Sequence, residues 1–170
     1  MSNASAPSAD QPAVTERSTS FETTLYIRDH CLCLASQRAA RALGRRFDDA
    51  LRPVGLTSGQ FSLLTSLNRP EPPSIGSVAN LLAMDRTTLT ANLKPLERRG
   101  LLQIVVDPED KRGRLLTLTP VGLALLAAAT PIWERTHAEV DGALLQSDAE
   151  ALRAGLRSLS QNGDGEPRGP

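Results

Sequence analysis

Aromatic side chains are scarce in this chain: one Trp, one Tyr and three Phe make up 3% of 170 residues. Unpaired bases are held by stacking on such rings, so a binder of single-stranded DNA or RNA is not expected. Histidine is scarcer, with only His30 and His137, too few for a His-rich site, and no metal is expected. Net charge is absent, because 19 basic and 19 acidic residues cancel, so a polyanion must be met by a local patch. No apolar run approaches the roughly 20 residues that cross a bilayer. Met1–Ser20 is rich in Ser, Ala, Pro and Thr and lacks the apolar centre of a signal peptide. A cytoplasmic protein with no membrane partner is the expectation. The phosphate-loop, dinucleotide, zincin and nucleophile-elbow motifs are missing too, so neither an enzyme nor a cofactor is expected.

Thiols are limited to Cys31 and Cys33, in "HCLCLA". A Cys-x-Cys pair invites a metal or a disulfide. The flanking "RDHCLCLASQRAARALGRRFDDAL" reads as helix, however, and residues two apart on a helix face nearly opposite ways. Pairing would need unwinding, so each is expected as a small buried apolar residue or a lone thiol.

What is present is an aliphatic supply for one core of about 140 residues, 40% of the chain being hydrophobic. Residues 1–20 and 161–170 are expected as polar, disordered tails. A first helix is predicted from about Phe21 to Leu51, with Leu32, Ala35, Ala39, Leu43, Phe47 and Leu51 in one stripe, ended by Pro53 and Gly55. Thr57 with Gln60 forms a capping box for a second helix reaching about Asn68, and Leu56 can staple onto Phe61. Ser74 caps a short third helix carrying Ile75, Val78, Ala79 and Leu82. Asp85 caps a fourth, "RTTLTANLKPLERRG", with Leu89, Leu93 and Leu96 inward and a bend or strained turn at Pro95. Strands are predicted at 101–106 and 114–119. Thr119 and Pro120 open a fifth helix to about Leu145, and a Ser147–Glu150 capping box opens the last, to about Leu159.

Helix, tight turn, helix and two-stranded hairpin make a winged helix-turn-helix, in a mainly α fold with one small β-hairpin. In that arrangement the second short helix enters the major groove of a duplex. Its outward positions Arg86, Thr87, Thr90, Ala91 and Lys94, with Arg98 beyond, are small or basic. Thr88 and Asn92 belong to the same candidate surface. Between the strands, "DPEDKRG" gathers Asp107, Glu109 and Asp110 with Lys111 and Arg112, and Arg114 follows. Pro108 and Gly113 suit a turn, and Asp110 can pair with Arg112 or cap the loop. Either would hold Arg112 extended toward a narrow minor groove, where negative potential concentrates.

"SVANLLAMDRTTLTANLKPLERRGLLQIVVDPEDKRGRLLTLTPVG" resembles the MarR family of bacterial transcription regulators. The match is strongest in Asp110-x-Arg112, Leu118-Thr119-x-x-Gly122 and Leu96-Glu97-Arg98-Arg99-Gly100-Leu101, and "GLTSGQFSLL" resembles the family's second helix. The resemblance implies a homodimer on a palindromic operator in double-stranded DNA, and repression relieved by a small-molecule effector. It divides residues 21–160 into dimerisation helices (21–56 and 120–160) and a DNA-binding lobe (57–119). "VGLALLAAATPIW" independently asks for a partner surface, being apolar on too many sides for a lone surface helix. Gln103, Ile104 and Val105 stand where many relatives are basic, and Ala91 where Arg is frequent, which implies a shallower salt dependence. By analogy with the family, an effector would meet His30, Cys33, Gln37 and Phe61, with Arg38 or Arg41. An arginine and an aromatic beside an apolar cleft suit a small aromatic carboxylate. Two further readings are a peroxide sensor using Cys33, and a protein-interaction module that has lost DNA binding.

Overall fold

The computed structural model describes residues 19–144 and 148–161. The chain divides into two compact units between Ala39 and Ala40. The expected tails lie almost wholly outside the described residues, as does Ser147 of the expected last capping box.

The predicted first helix is two helices, α1 (Phe21–His30) and α2 (Leu32–Leu51). Ser20 caps α1 by accepting from the Thr23 amide. The break is at Cys31, whose φ of −77° and ψ of 107° are extended. Its amide still donates to the Ile27 carbonyl, its carbonyl accepts from the Ala35 amide, and its Sγ accepts from the Leu34 amide at 3.4 Å. Cys31 therefore ends one helix and caps the next, which periodicity cannot register because both helices keep the same phase. Neither thiol is fully buried as expected: Cys31 is half-buried and Cys33 exposed. The apolar stripe is likewise uncovered at its start, Leu32 and Leu43 being 69% and 40% exposed, and only Leu51 joins the core.

From Leu51 onward the chain packs. A 3₁₀ turn (Arg52–Val54) ends at Gly55, whose φ of 68° is left-handed. Helix α3 (Ser58–Leu67) starts at the complete Thr57–Gln60 capping box. Asp48 of α2 adds a carboxylate to the same helix start, accepting from the Ser58 amide at 2.6 Å. Helices α4 (Ile75–Leu81) and α5 (Arg86–Arg98) follow, then antiparallel strands β1 (Leu102–Val106) and β2 (Arg114–Leu118) in the register Leu102 to Leu118 and Val106 to Arg114. Pro95 sits within α5, which continues through it to Arg98. Leu51, Leu64, Val78, Leu89, Leu93, Leu96 and Leu116 have no exposed surface and form the centre of an aliphatic core.

Helix α6 (Pro120–Gly142) leaves the sheet at a crowded corner. The Thr119 hydroxyl donates to the Gly100 carbonyl at 2.6 Å and accepts from the Gly122 amide at 3.0 Å. A Cβ on Gly122 would lie 1.9 Å from the Leu101 carbonyl oxygen. Only glycine lets the helix begin there. Helix α7 (Ala149–Gln161) starts beside Asp148, which accepts from the Glu150 amide at 2.8 Å.

Candidate nucleic-acid interface

The turn between α4 and α5 is held from both ends. Ser74 caps α4 through the Ser77 amide at 3.1 Å. Asp85 caps α5, accepting from the Thr88 hydroxyl at 2.6 Å and the Thr88 amide at 2.8 Å. Those bonds, the hydroxyl first, hold the Asp85 carboxyl below the usual carboxylate range. Ala83 between the helices has a φ of 49°, in the left-handed region that a Cβ disfavours. This corner buries the Leu89, Leu93 and Leu96 face of α5 and turns Arg86, Thr87, Ala91, Lys94 and Arg98 outward, all exposed.

The hairpin tip is built by its acids. Asp107 accepts from the Glu109 amide and Asp110 from the Arg112 amide, each at 2.9 Å. The Gly113 amide donates to the Asp110 carbonyl at 2.7 Å. A Cβ on Gly113 would meet the Asp107 Cβ at 2.9 Å, so the loop closes only with glycine there. Of the two roles open to Asp110, it takes loop capping: it binds the backbone of Arg112 and leaves the guanidinium exposed. Lys111 is exposed beside it. Arg114 is fixed at the strand start, its Nη1 donating to the Gly113 and Lys111 carbonyls at 2.8 and 3.1 Å.

Helix α4 and the wing are tied together. The Leu116 amide donates to the Pro73 carbonyl at 2.9 Å, and Ser74 bridges to Leu115. Between them opens a groove of about 500 Å³ walled by Ser74, Ile75, Gly76, Arg86, Thr90, Asp110, Arg112, Gly113 and Arg114. Five residues expected at a nucleic-acid surface, Arg86, Thr90, Asp110, Arg112 and Arg114, thus share one concavity with three arginines against one carboxylate. In a chain of zero net charge this is a local cationic patch.

Other expected residues lie elsewhere. Thr88 is engaged in the cap, and Thr90 donates to its own helix at the Arg86 carbonyl, 2.7 Å away. Asn92 lies toward Met84, Nδ2 4.0 Å from Sδ, in a smaller cavity with Thr57, Gln60 and Pro95. Lys94 and Arg98 follow along the exposed face of α5, outside the groove wall. Sequence reasoning missed Gly76. A Cβ there would lie 3.0 Å from Arg86 Nη2, so the guanidinium rests across the first turn of α4. A glycine within a helix was the available signal, since it costs up to about 1 kcal/mol relative to alanine.

A second concave region involves Phe61. Its ring stacks with Trp133 at 6.2 Å between centroids, and Trp133 stacks on His137 at 4.6 Å. Two cavities of about 400 and 420 Å³ share Phe61, Thr65, Asn68 and Trp133 as walls. The first adds Leu123, Leu126, Ala127 and Thr130, and the second adds Arg69. Of the residues expected at a ligand, Phe61 lines these cavities. His30 Nδ1 is 2.9 Å from the Tyr26 carbonyl with its ring stacked on Tyr26, and Cys33 Sγ accepts from Gln37 Nε2 at 3.3 Å. Arg38 and Arg41 are exposed.

The model of the MarR family matches residues 56–113, which spans α3 to the wing tip. A Mycobacterium tuberculosis transcriptional regulator, MosR, solved in complex with DNA, is 36% identical with a TM-score of 0.72, covering 79% of this chain and 97% of that one. The transcriptional repressor CouR, bound to a 23-mer DNA duplex, is 30% identical with a TM-score of 0.70, covering 79% of this chain and 95% of that one. It has also been solved bound to p-coumaroyl-CoA. The transcriptional activatory protein BadR of Rhodopseudomonas palustris is 34% identical over 88 residues, half of this chain and half of its own length. Among the described residues, no helix is long and apolar enough to cross a membrane. Arginine groove, threonine-bearing helix and aspartate-capped wing thus stand on the scaffold of proteins solved on DNA, and the chain belongs to the MarR family, as a DNA-binding transcriptional regulator of winged helix-turn-helix fold and not an enzyme.

Proposed function

We propose that the protein works as a homodimer on a palindromic operator and acts as a repressor released by a small planar ligand. The observation that carries this reading is the groove in which Arg86, Arg112 and Arg114 face one space between recognition helix and wing. One lobe of this size grips a single half-site, and two half-sites about 34 Å apart call for a two-fold partner. Helix α7 supplies a surface for that partner. Leu152, Leu156 and Leu159 lie on one face at 45%, 47% and 58% exposure, an apolar stripe that water alone does not stabilise.

The ligand belongs in the cavities around Phe61 and Trp133. Their walls are aromatic and aliphatic at one end, with Thr65, Asn68 and Arg69 at the other. That suits a flat apolar body with an anionic group. The site touches both α3 and α6, so a ligand there can alter how the lobe is carried. A small aromatic carboxylate fits this chemistry, and CouR, a repressor solved with p-coumaroyl-CoA, is a relative of comparable fold.

A mobility-shift assay on the DNA upstream of the protein's own gene, paired with sedimentation to obtain the mass of the bound species, tests the reading. Two chains per duplex, and release by an aromatic carboxylate that Trp133→Ala no longer responds to, are the expected results. One chain per duplex, or release unaffected by Trp133→Ala, would overturn the dimer or the effector site respectively.

A further inference from the structure

We infer that Cys31 and Cys33 form a reversible disulfide within one chain, oxidised by a hydroperoxide, and that this bond dismantles the start of α2 and loosens the hold on DNA. The inference begins with the caps. Ser20, Thr57, Ser74, Asp85 and Thr119 each cap a helix with oxygen. Helix α2 alone is capped by sulfur, with Cys31 Sγ 3.4 Å from the Leu34 amide. A thiol is a weak acceptor, and serine would serve better there. Capping therefore does not explain the cysteine, and its redox chemistry does.

The break at Cys31 also removes the obstacle to pairing. In a continuous helix, side chains two apart diverge. Cys31, however, is already outside helical geometry, with a ψ of 107°. Only the first turn of α2 must rearrange for Cys33 to turn toward it. Cys33 is exposed to solvent, as a thiol that meets an oxidant must be. No other cysteine exists in the chain to compete for the bond.

The chemistry balances. Cys33 sulfur attacks one peroxide oxygen; an S–O bond forms, the O–O bond breaks, and the departing oxygen leaves as water or alcohol carrying the thiol proton. Cys31 sulfur then attacks the Cys33 sulfenic acid; the S–S bond forms, the S–O bond breaks, and water leaves with the Cys31 proton. The two thiols together lose two electrons and the peroxide gains them. In the product, Cys31 Sγ is bonded to Cys33 and no longer placed to receive the Leu34 amide, so α2 loses its cap. The direction in which α1 leaves α2 then changes, and α1 carries Phe21, Tyr26 and Ile27 uncovered at 76%, 64% and 52% exposure. The effect on DNA rests on the dimer reading above, whereas bond formation does not.

The full-length reduced protein is treated with hydrogen peroxide, and separately with cumene hydroperoxide. Its intact mass is then read without reductant, and its affinity for a random-sequence DNA duplex is read by fluorescence anisotropy. Expected is a single-chain species lighter by two hydrogen atoms, reverting with dithiothreitol, with affinity lowered roughly tenfold. Cys31→Ser keeps an oxygen cap and so keeps the fold. It should gain one oxygen at Cys33 instead of losing hydrogen, and Cys33→Ser should keep its remaining thiol. A wild type that retains both thiols, a bond joining two chains, or a disulfide that leaves duplex affinity unchanged would each overturn the inference. Reduced wild type that ignored the duplex would instead overturn the DNA-binding reading, and the mass readout would then judge the disulfide alone.

Discussion

Helices α5 and α7 carry the same leucine pattern and meet opposite fates. Leu89, Leu93 and Leu96 in α5 are 0% exposed, whereas Leu152, Leu156 and Leu159 in α7 are 45%, 47% and 58% exposed. Both helices are 13 residues long, and both triplets are spaced by four and then three. Periodicity fixes which face of a helix is apolar, but only the rest of the chain decides what covers it. In α5 the cover comes from the core around Leu64, Val78 and Leu116. In α7 the charges are satisfied within reach, with Arg153 bonded to Asp141 at 3.0 Å and to Glu150 at 3.1 Å, while the leucines are left bare. The difference separates a lobe completed by its own sequence from helices that await a second surface.

The comparison breaks first at the corner that joins strand β2 to α6. Gly122→Ala would place a carbon 1.9 Å from the Leu101 carbonyl oxygen, an overlap that only backbone movement relieves. A loss of about 3–5 kcal/mol in urea unfolding is expected, the scale of a severe core defect. A variant as stable as wild type would show that the lobe does not depend on this contact. Next in size is Leu156→Lys. It should abolish the two-chain species in sedimentation and weaken duplex binding, while the thermal transition of the single chain moves little because the side chain is 47% exposed. If the variant instead unfolds with the subunits still paired, the leucines of α7 belong to an internal core.

The lobe's function can be perturbed without touching its core. Arg112→Ala should cost about 1–3 kcal/mol of operator binding and leave mass and stability unchanged, since Asp110 holds only the backbone of residue 112. An unaltered affinity would remove that guanidinium from the interface. Gly76→Ala is gentler. The new methyl presses on the far end of Arg86 at 3.0 Å, which can move aside, and the helix gains intrinsic propensity of up to about 1 kcal/mol. Thermal stability should rise or hold while duplex affinity falls a few-fold, and the fall should vanish when Arg86 is already alanine. Additive losses in the double variant would mean that glycine and arginine act separately.

Much of this was legible in the residues. Thr57, Ser74, Asp85 and Thr119 cap helices where they were expected to, because a capping side chain acts within three residues of itself. The hairpin was legible for the same reason, its register set by one short loop. Cys31 was not, because a break that preserves helical phase leaves the apolar pattern intact and is marked only by one sulfur bond. The groove was legible in its arginines and missed in its glycine, since the contact of Gly76 with Arg86 joins two helices across a turn. Trp133 was read as part of an apolar surface. Its stacking on Phe61 spans 72 positions, a pairing that local spacing cannot suggest.

The smallest effect concerns the cap that aims the recognition helix. Hydrogen bonds from the Thr88 hydroxyl and amide hold the Asp85 carboxyl below its ordinary value, which is about 3.9 in an unfolded chain. A carboxyl lowered on folding stabilises the folded state fully above the unfolded value, and that contribution disappears as pH falls through the folded one. Asp85→Asn keeps an oxygen to accept the Thr88 amide but has no proton to gain. Between pH 5 and 7 wild type and variant should therefore differ by a constant, small amount in thermal denaturation. Below about pH 4 wild type should lose stability more steeply than the variant, and the gap between them should narrow. The carboxyls of Asp48 and Glu150 are also lowered, by Ser58 and by Arg157 with Arg153, and titrate in the same window. Only the difference between the two proteins isolates Asp85. Parallel curves throughout the acid range would mean that the carboxylate charge adds nothing to the cap, and that an amide at position 85 would orient α5 equally well.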